Sequence, residues 1–216
     1  MILGIYCAGG FGGVVLGLAR CLNENEHRWS QLCFIDDVVD PKEYDIPVYT
    51  FEEFQKRFSN EQAEVVIANG EPQVRQVMFE KVKTAGYKLP NLIHPMSDAK
   101  VITSAGEGNI ILSYAYVSTA GVSIGDNNVV MAFSQISHNN TVGSHCVIAS
   151  SVNLSGNTRV GDRAYIGTGA KLRENITVGR DSIVGMGAVV TKSVAEESVV
   201  MGFPAKEVRK NNGRVF

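Results

Sequence analysis

The chain has 216 residues, of which 44% are hydrophobic and 19% are charged, and its formal net charge is −2. This composition is ordinary for a soluble globular protein and allows one large or two small domains. The small net charge and the lack of a dense basic run argue against a nucleic-acid binder, and no apolar stretch is long enough to span a bilayer.

The first third of the chain alternates apolar runs with amphipathic segments. The opening run lacks a basic leader and therefore predicts a buried strand, not a signal peptide. Thr50 and Glu53 form a capping box, and Pro72 begins another helical segment. This alternation predicts a small Rossmann-like parallel sheet in an α/β domain over residues 1–94. The predicted strands cover residues 2–6, 31–35 and 64–68, and the predicted helices cover 14–20, 51–58 and 72–86.

A glycine-rich turn, Cys7–Gly13, joins the first strand to the first helix. Gly9 and Gly12 match the second and third glycines of the dinucleotide fingerprint, whereas Cys7 replaces the first. Asp36 stands where an acidic residue could hold a ribose. Three interpretations stay open: a nucleotide or nucleotide-sugar site, a nicotinamide site, and a structural tight turn. The domain is too short for a full doubly wound sheet, which argues against the nicotinamide site. Backbone amides at a helix start suit an anionic group, which favours the nucleotide or nucleotide-sugar site.

The rest of the chain is dominated by a period of six. An aliphatic residue occupies every sixth position twelve times in succession, which fits a parallel β-helix with three hexads per coil. The fifth position of the hexad is small or branched, as a narrow prism requires. Glycine often follows the aliphatic residue, and we attribute it to the backbone freedom that a corner needs. The aliphatic positions are Ile124, Val130, Ile136, Val142, Ile148, Leu154, Val160, Ile166, Leu172, Val178, Val184 and Val190.

The flanks of this run are less regular. Residues 95–123 indicate earlier coils, with Leu112 in phase and Ser118 out of phase. The four cysteines show no CxxC spacing, which predicts free thiols in a reducing cytoplasm.

The hexads with His138, the glycine-rich domain and the closing run Met201–Lys206 together resemble the bacterial nucleotide-amino-sugar N-acetyltransferases and their sialic-acid O-acetyltransferase relatives. The run Asn91–Pro95 narrows the resemblance to this branch. The resemblance implies a left-handed β-helix over residues 95–216, which acts as an acyltransferase domain. It also implies a cytoplasmic homotrimer that binds acetyl-CoA between adjacent helices, uses no metal, and serves surface polysaccharide biosynthesis.

The resemblance also assigns roles to individual residues. His138 is the expected general base, and Asn139 stands where many members carry an acidic residue that orients the ring. The Asn139 amide oxygen can accept a hydrogen bond but carries no charge, which makes His138 a weaker base than in those members. A spacing of eighteen residues places His138, Gly156, Glu174 and Lys192 in one column, and Ser150, Thr168 and Met186 in a second. The acetyl-CoA contacts carried over are Gly156, Thr168 and Met186, with Lys192 near the CoA phosphates. The nucleotide-sugar contacts carried over are Gly9, Gly10, Phe11, Asp36, Asp37 and Gly70.

Four functional hypotheses follow. The first is N-acetylation of a nucleotide-linked amino sugar. The second is O-acetylation of a sialic-acid-like sugar, because Phe11 replaces a histidine that many amino-sugar enzymes carry in the glycine turn. The third is a zinc enzyme on the same helix, which needs three converging histidines, whereas only His138 and His145 lie in the regular coils. The fourth is a sugar-nucleotide binder that releases no thiol from acetyl-CoA.

Overall fold

The structure is a computed structural model that describes residues 1–38, 45–99 and 104–213. Its N-terminal region is a parallel sheet flanked by helices, as predicted. The strands are β1 (Ile2–Tyr6), β2 (Gln31–Ile35), β3 (Val48–Tyr49) and β4 (Ala63–Ile67), and the helices are α1 (Gly10–Glu26), α2 (Phe51–Arg57) and α3 (Pro72–Thr84). The sheet order is β3-β2-β1-β4, so β1 lies in the centre and leads directly into the glycine turn.

Local sequence explains where these helices begin and end. The Thr50 hydroxyl accepts from the Glu53 N–H, and the Glu53 carboxylate accepts from the Thr50 N–H, which confirms the capping box. Helix α1 continues six residues beyond its predicted end because Leu22 still packs in the core. It ends at His27, which adopts the left-handed conformation.

From Leu92 the chain forms a left-handed parallel β-helix with three flat faces. Face 1 contains Leu92–Ile93, Ile110–Ile111, Val129–Val130, Val147–Ile148, Tyr165–Ile166 and Ile183–Val184, and the hairpin of Ser198–Gly202 and Ala205–Lys210 extends it. Face 2 contains Tyr116–Val117, Gln135–Ile136, Asn153–Leu154, Lys171–Leu172 and Val189–Val190. Face 3 contains Ser104–Ala105, Ser123–Ile124, Thr141–Val142, Arg159–Val160 and Thr177–Val178. The first strand of face 1 precedes residue 95, and the division into two domains there stays a prediction.

Three edges separate these faces, and each is named here by a residue that it carries. The histidine edge lies between faces 2 and 3 and carries His138. The threonine edge lies between faces 1 and 2 and carries Thr168. The seam edge lies between faces 3 and 1 and carries Asn127 and Arg163.

The period of six correctly predicted the interior of the β-helix. All twelve aliphatic residues are buried and belong to one core, together with small residues such as Cys146 and Ala164 at the fifth position. The earlier coils are present, but their expected phase was wrong. The side chains of Ile111 and Val117 point inward, and that of Leu112 does not. The reason is a single extra residue between Val117 and Ile124, which shifts the earlier phase by one.

The reason given for the glycines was also wrong. The left-handed conformation recurs three residues after eleven of the twelve aliphatic positions, for example at Asn127, Asn139 and Asn157. The glycine directly after the aliphatic residue is required for a different reason. A Cβ at Gly161 would lie 2.6 Å from the backbone nitrogen of Arg180 on the next coil, so close packing between coils excludes a side chain there.

The N-terminal region covers face 1. The outward side chains of Ile110, Val129 and Val147 are buried in one core with Leu18 and Leu22 of α1. Helix α3 runs beside the seam edge, where Arg163 donates to Gln76 at 3.2 Å. The histidine edge, which does not border face 1, therefore stays uncovered. None of the described helices is long and apolar enough to cross a membrane.

Two alanine substitutions test the packing of the glycines, with opposite expected signs. Gly161→Ala should lower the melting temperature, because overpacking a coil contact typically costs about 1–3 kcal/mol. Gly17→Ala should raise it slightly, because Gly17 is an exposed helical residue whose Cβ would meet no atom. Thermal unfolding followed by circular dichroism measures both. A Gly161→Ala variant as stable as the native chain would contradict the packing account.

Candidate active site

The histidine edge presents His138 to solvent on a column of stacked residues. The Asn157 N–H donates to the His138 carbonyl at 3.0 Å, and the Asn175 N–H donates to the Gly156 carbonyl at 3.1 Å. His138, Gly156 and Glu174 therefore stack in the predicted order. The regular spacing does not extend to Lys192, because Val194 pairs with Val178 and shortens that hexad by two residues.

Gly156 allows the imidazole of His138 to lie directly against the backbone. A Cβ at Gly156 would lie 2.5 Å from Cε1 and 2.6 Å from Nε2 of the ring. Gly156 is buried although it lies on an exposed edge. The histidine ring thus fills the space beside Gly156.

Asn139 contacts the ring through its nitrogen. Its Nδ2 lies 3.3 Å from His138 Nδ1 and also donates to Asn157 Oδ1 at 3.1 Å. In this orientation the Asn139 nitrogen, and not its oxygen, faces the ring, because the same nitrogen donates to Asn157 Oδ1. An amide nitrogen only donates, so this orientation of Asn139 makes Nδ1 the acceptor and assigns the ring proton to Nε2.

Thr168 and Met186 lie on the threonine edge, across face 2 from His138. The Gly169 N–H donates to the Ser150 carbonyl and the Gly187 N–H donates to the Thr168 carbonyl, both at 2.9 Å, so the second predicted column is regular. Thr168 is exposed, and 82% of the Met186 surface is accessible. Within one chain, this column and the His138 column do not meet.

The glycine turn leaves open space where it meets solvent. A Cβ at Gly9 or Gly10 would contact no other atom, whereas a Cβ at Gly12 would clash with the Cys7 carbonyl. Gly12 thus provides the close approach of helix and strand that the third fingerprint glycine provides. Phe11 is half-buried and packs against the core between α1 and face 1.

The predicted acidic residues hold the rim of this turn together. Asp36 accepts from the backbone N–H of Ala8 and of Val38, each at 2.9 Å. Asp37 accepts from the Phe51 N–H at 2.8 Å and from the Tyr6 hydroxyl at 3.1 Å. Lys81 donates to the same hydroxyl at 2.7 Å.

Electrostatics keep Asp37 ionised. Burial raises the pKa of Asp37, but the bonds from Phe51 and Tyr6 and the charge of Lys81 outweigh burial and lower it overall. Gly70 lies at the neighbouring strand end, where a Cβ would again meet no atom. Tyr6 and Lys81 belong to no recognisable motif, so the sequence alone did not point to either residue.

The two histidines of the regular coils lie on different edges. His145 is buried at the seam edge, where its ring packs edge-on against Phe79 with centroids 5.2 Å apart. Across residues 1–38, 45–99 and 104–213, no three His, Cys, Asp or Glu side chains are grouped as a metal site requires. The arrangement therefore disfavours the zinc hypothesis.

Two regions of the chain match known protein families. Residues 2–82 match the PglD N-terminal domain, and residues 157–192 match the bacterial transferase hexapeptide of six repeats. No curated protein matches the chain.

Solved structures are similar to nearly the whole chain. The acetyltransferase domain of PglB from Neisseria gonorrhoeae FA1090 is 34% identical with a TM-score of 0.87, over 96% of this chain and 99% of that one. Its complex with acetyl coenzyme A has the same TM-score at 31% identity, over 96% and 98%. WeeI from Acinetobacter baumannii AYE is 27% identical with a TM-score of 0.84, over 96% and 100%. PerB from Caulobacter crescentus, in complex with CoA and GDP-perosamine, is 24% identical with a TM-score of 0.72, over 97% and 98%, and shares the fold.

The contact between Asn139 and His138 predicts the tautomer of the ring. In the native chain, ¹⁵N NMR should show the His138 proton on Nε2. Asn139→Asp should move it to Nδ1 and raise the pKa of the ring, because a carboxylate accepts from Nδ1–H and stabilises the charged form. Asn175→Asp, in the same asparagine column but farther from the ring, is the control and should change neither property. An unchanged tautomer in Asn139→Asp would show that another group orients His138.

Proposed function

We propose a reaction for this chain, which belongs to the PglD-type family of hexapeptide-repeat acetyltransferases: transfer of the acetyl group of acetyl-CoA to the amino group of a nucleotide-linked amino sugar. The observation that carries the proposal is the placement of His138, exposed on the histidine edge and held against Gly156, in a chain that matches an acetyltransferase over nearly its full length.

The chemistry requires a base at this position. The amine nitrogen attacks the thioester carbonyl carbon, so a C–N bond forms and the C–S bond breaks. His138 takes the proton that the amine must lose and passes it to the departing thiolate. Because Nε2 carries the proton in the resting arrangement, Nε2 becomes the base only when Asn139 turns its oxygen toward Nδ1.

The glycine turn is the proposed site of the sugar nucleotide. Gly9 and Gly10 leave space at the N-terminus of the 17-residue helix α1, where backbone amides and the helix dipole favour a diphosphate. Phe11, Asp36, Asp37 and Gly70 surround that space and complete the proposed contacts. Gly156, Thr168, Met186 and Lys192 remain the proposed contacts for acetyl-CoA.

The topology supports a homotrimer. The N-terminal region covers face 1, whereas His138 lies on the edge that does not border face 1, so one chain cannot bring its own glycine turn to its own base. Neighbouring copies can combine the histidine edge of one chain with the threonine edge and glycine turn of the next. On the threonine edge, Tyr114 and Phe133 stack 5.1 Å apart with exposures of 50% and 64%, as expected of an interface.

The cellular setting follows from the proposed reaction. No disulfide links the four cysteines, which fits a reducing compartment, and we assign the protein to the cytoplasm and to surface polysaccharide biosynthesis.

Phe11 favours a second candidate, O-acetylation of a sialic-acid-like sugar. Thiol release from acetyl-CoA, measured with UDP-, dTDP-, GDP- and CMP-linked sugars that either carry or lack an amino group, distinguishes an amine from a hydroxyl acceptor. Thiol release with none of them would contradict both reactions.

Replacement of the proposed base gives a direct prediction. His138→Ala should lower kcat roughly 100-fold or more, since general-base assistance typically contributes that much. Binding of acetyl-CoA, followed by calorimetry, should change little because the proposed contacts do not include the His138 side chain. His27→Ala is the control, since His27 lies at the end of α1 and should leave kcat unchanged. Full activity in His138→Ala would show that His138 is an ordinary edge residue.

A further inference from the structure

Arg75 is a fully buried cation at the junction of the N-terminal region and the β-helix. From α3, its Nε donates to the Asn127 carbonyl at 2.9 Å, and Nη2 donates to the Asn127 side-chain oxygen. Nη1 donates to the carbonyls of Ile67 at 2.7 Å and Asn69 at 2.9 Å. All four acceptors are neutral, and none of the ion pairs between described residues includes Arg75.

The charge remains on this side chain. Burial lowers the pKa of Arg75 to about 9, which is still above neutral pH. Asn127 Nδ2 lies 3.0 Å from His145 Nδ1, so that nitrogen accepts and His145 is neutral. Burial and the Arg75 charge both lower the pKa of His145, which keeps a second cation from forming beside the first.

Adhesion between the two regions does not require such a residue. A buried charge without a charged partner is costly, and apolar packing of similar volume is often as stable or more so. The same junction already buries Leu18, Leu22 and Val129 in an apolar core. The unpaired cation therefore points to a use beyond holding the regions together.

Arg75 lies at the carboxyl end of β4, the strand that pairs with β1 and its glycine turn. It binds the carbonyls at the end of β4, and the Asn69 side chain donates to Cys7 Sγ at 3.6 Å. Burial raises the pKa of Cys7 and the Arg75 charge opposes that rise, so the charge is felt at the first residue of the turn. Ligands of parallel sheets bind beyond the carboxyl ends of the strands, and the Ile67 and Asn69 carbonyls that Arg75 holds lie at that end of β4.

We propose that Arg75 is a positioning residue for the nucleotide-sugar substrate. It fixes the Asn69–Gly70 turn to the β-helix through Asn127, and its unpaired charge favours the substrate's diphosphate at the glycine turn. This role rests on the proposed function, since it assumes that the turn binds a nucleotide diphosphate.

The experiment measures binding of UDP, dTDP, GDP and acetyl-CoA to the full chain by calorimetry. Arg75→Met should weaken the best nucleotide about tenfold or more, because the Ile67 and Asn69 carbonyls lose their charged donor and the turn loses its link to Asn127, and it should change acetyl-CoA affinity less than twofold. Arg163→Met is the matched control, because Arg163 also joins α3 to the seam edge but contacts no part of the turn. It should leave nucleotide affinity unchanged.

A second variant separates charge from folding. Asn127→Asp keeps an acceptor for Arg75 and pairs its charge, although it removes the Nδ2 donor to the Arg75 carbonyl and to His145. It should weaken the same nucleotide about threefold or more, and circular dichroism checks that the variant is folded. If Arg75→Met does not fold, Asn127→Asp decides the question. Unchanged nucleotide binding in a folded variant, or equal weakening of nucleotide and acetyl-CoA, would overturn the role of Arg75. If the native chain binds acetyl-CoA but none of the three nucleotides, the proposed substrate class fails and this role fails with it.

Discussion

The hydrogen bonds between successive coils are the constraint on which the rest of this molecule depends. From Ile124 to Val190, equivalent residues of successive coils pair with a spacing of eighteen residues, and adjacent coils lie about 4.8 Å apart. Side chains at equivalent positions must therefore stack. This stacking fills the interior with aliphatic residues, forbids a Cβ at Gly161, and presses the His138 ring onto Gly156. The placement of His138 on the histidine edge is thus a consequence of the repeat.

The same constraint separates the parts of the proposed active site. A rigid prism has three edges, and the N-terminal region occupies the face opposite the histidine edge. Neither part can move around the prism to meet the other, because the coils between them are fully hydrogen-bonded. The proposed reaction needs both a base and a sugar-nucleotide pocket, so its site is incomplete in one chain, and we propose that a neighbouring copy completes it. The unpaired charge of Arg75 belongs to this design, since it orders the pocket from the side of the β-helix.

The sequence predicted those features that a repeat encodes locally. Twelve hexads identified the interior, the three faces and the edge position of His138, because each hexad reports the same environment. The N-terminal elements were also predicted, since caps and apolar runs are local signals. The shift before Ile124 was missed because a single inserted residue has no signature of its own. The regular spacing also failed at Lys192, where the last hexad is shortened.

Contacts between distant residues were beyond the sequence for a physical reason. The direction of the Asn139 amide is set by Asn157 on the next coil, and the partners of Arg75 include Asn127, fifty-two positions away. Such choices depend on which donors and acceptors the fold brings together. The Tyr6, Asp37 and Lys81 cluster is similar, since it joins three elements that only the sheet order places side by side.

The central claim is that each active site combines His138 of one chain with the glycine turn of its neighbour. Mixing two inactive variants tests it most directly. His138→Ala lacks the base, and Gly10→Val fills the space above the turn, where a Cβ meets no protein atom and so leaves the fold intact. If the subunits are unfolded and refolded together in equal amounts, the account predicts recovery of about a quarter of native activity, because a random trimer unites both intact parts at that fraction of its interfaces. Mixed trimers that remain inactive would contradict the account.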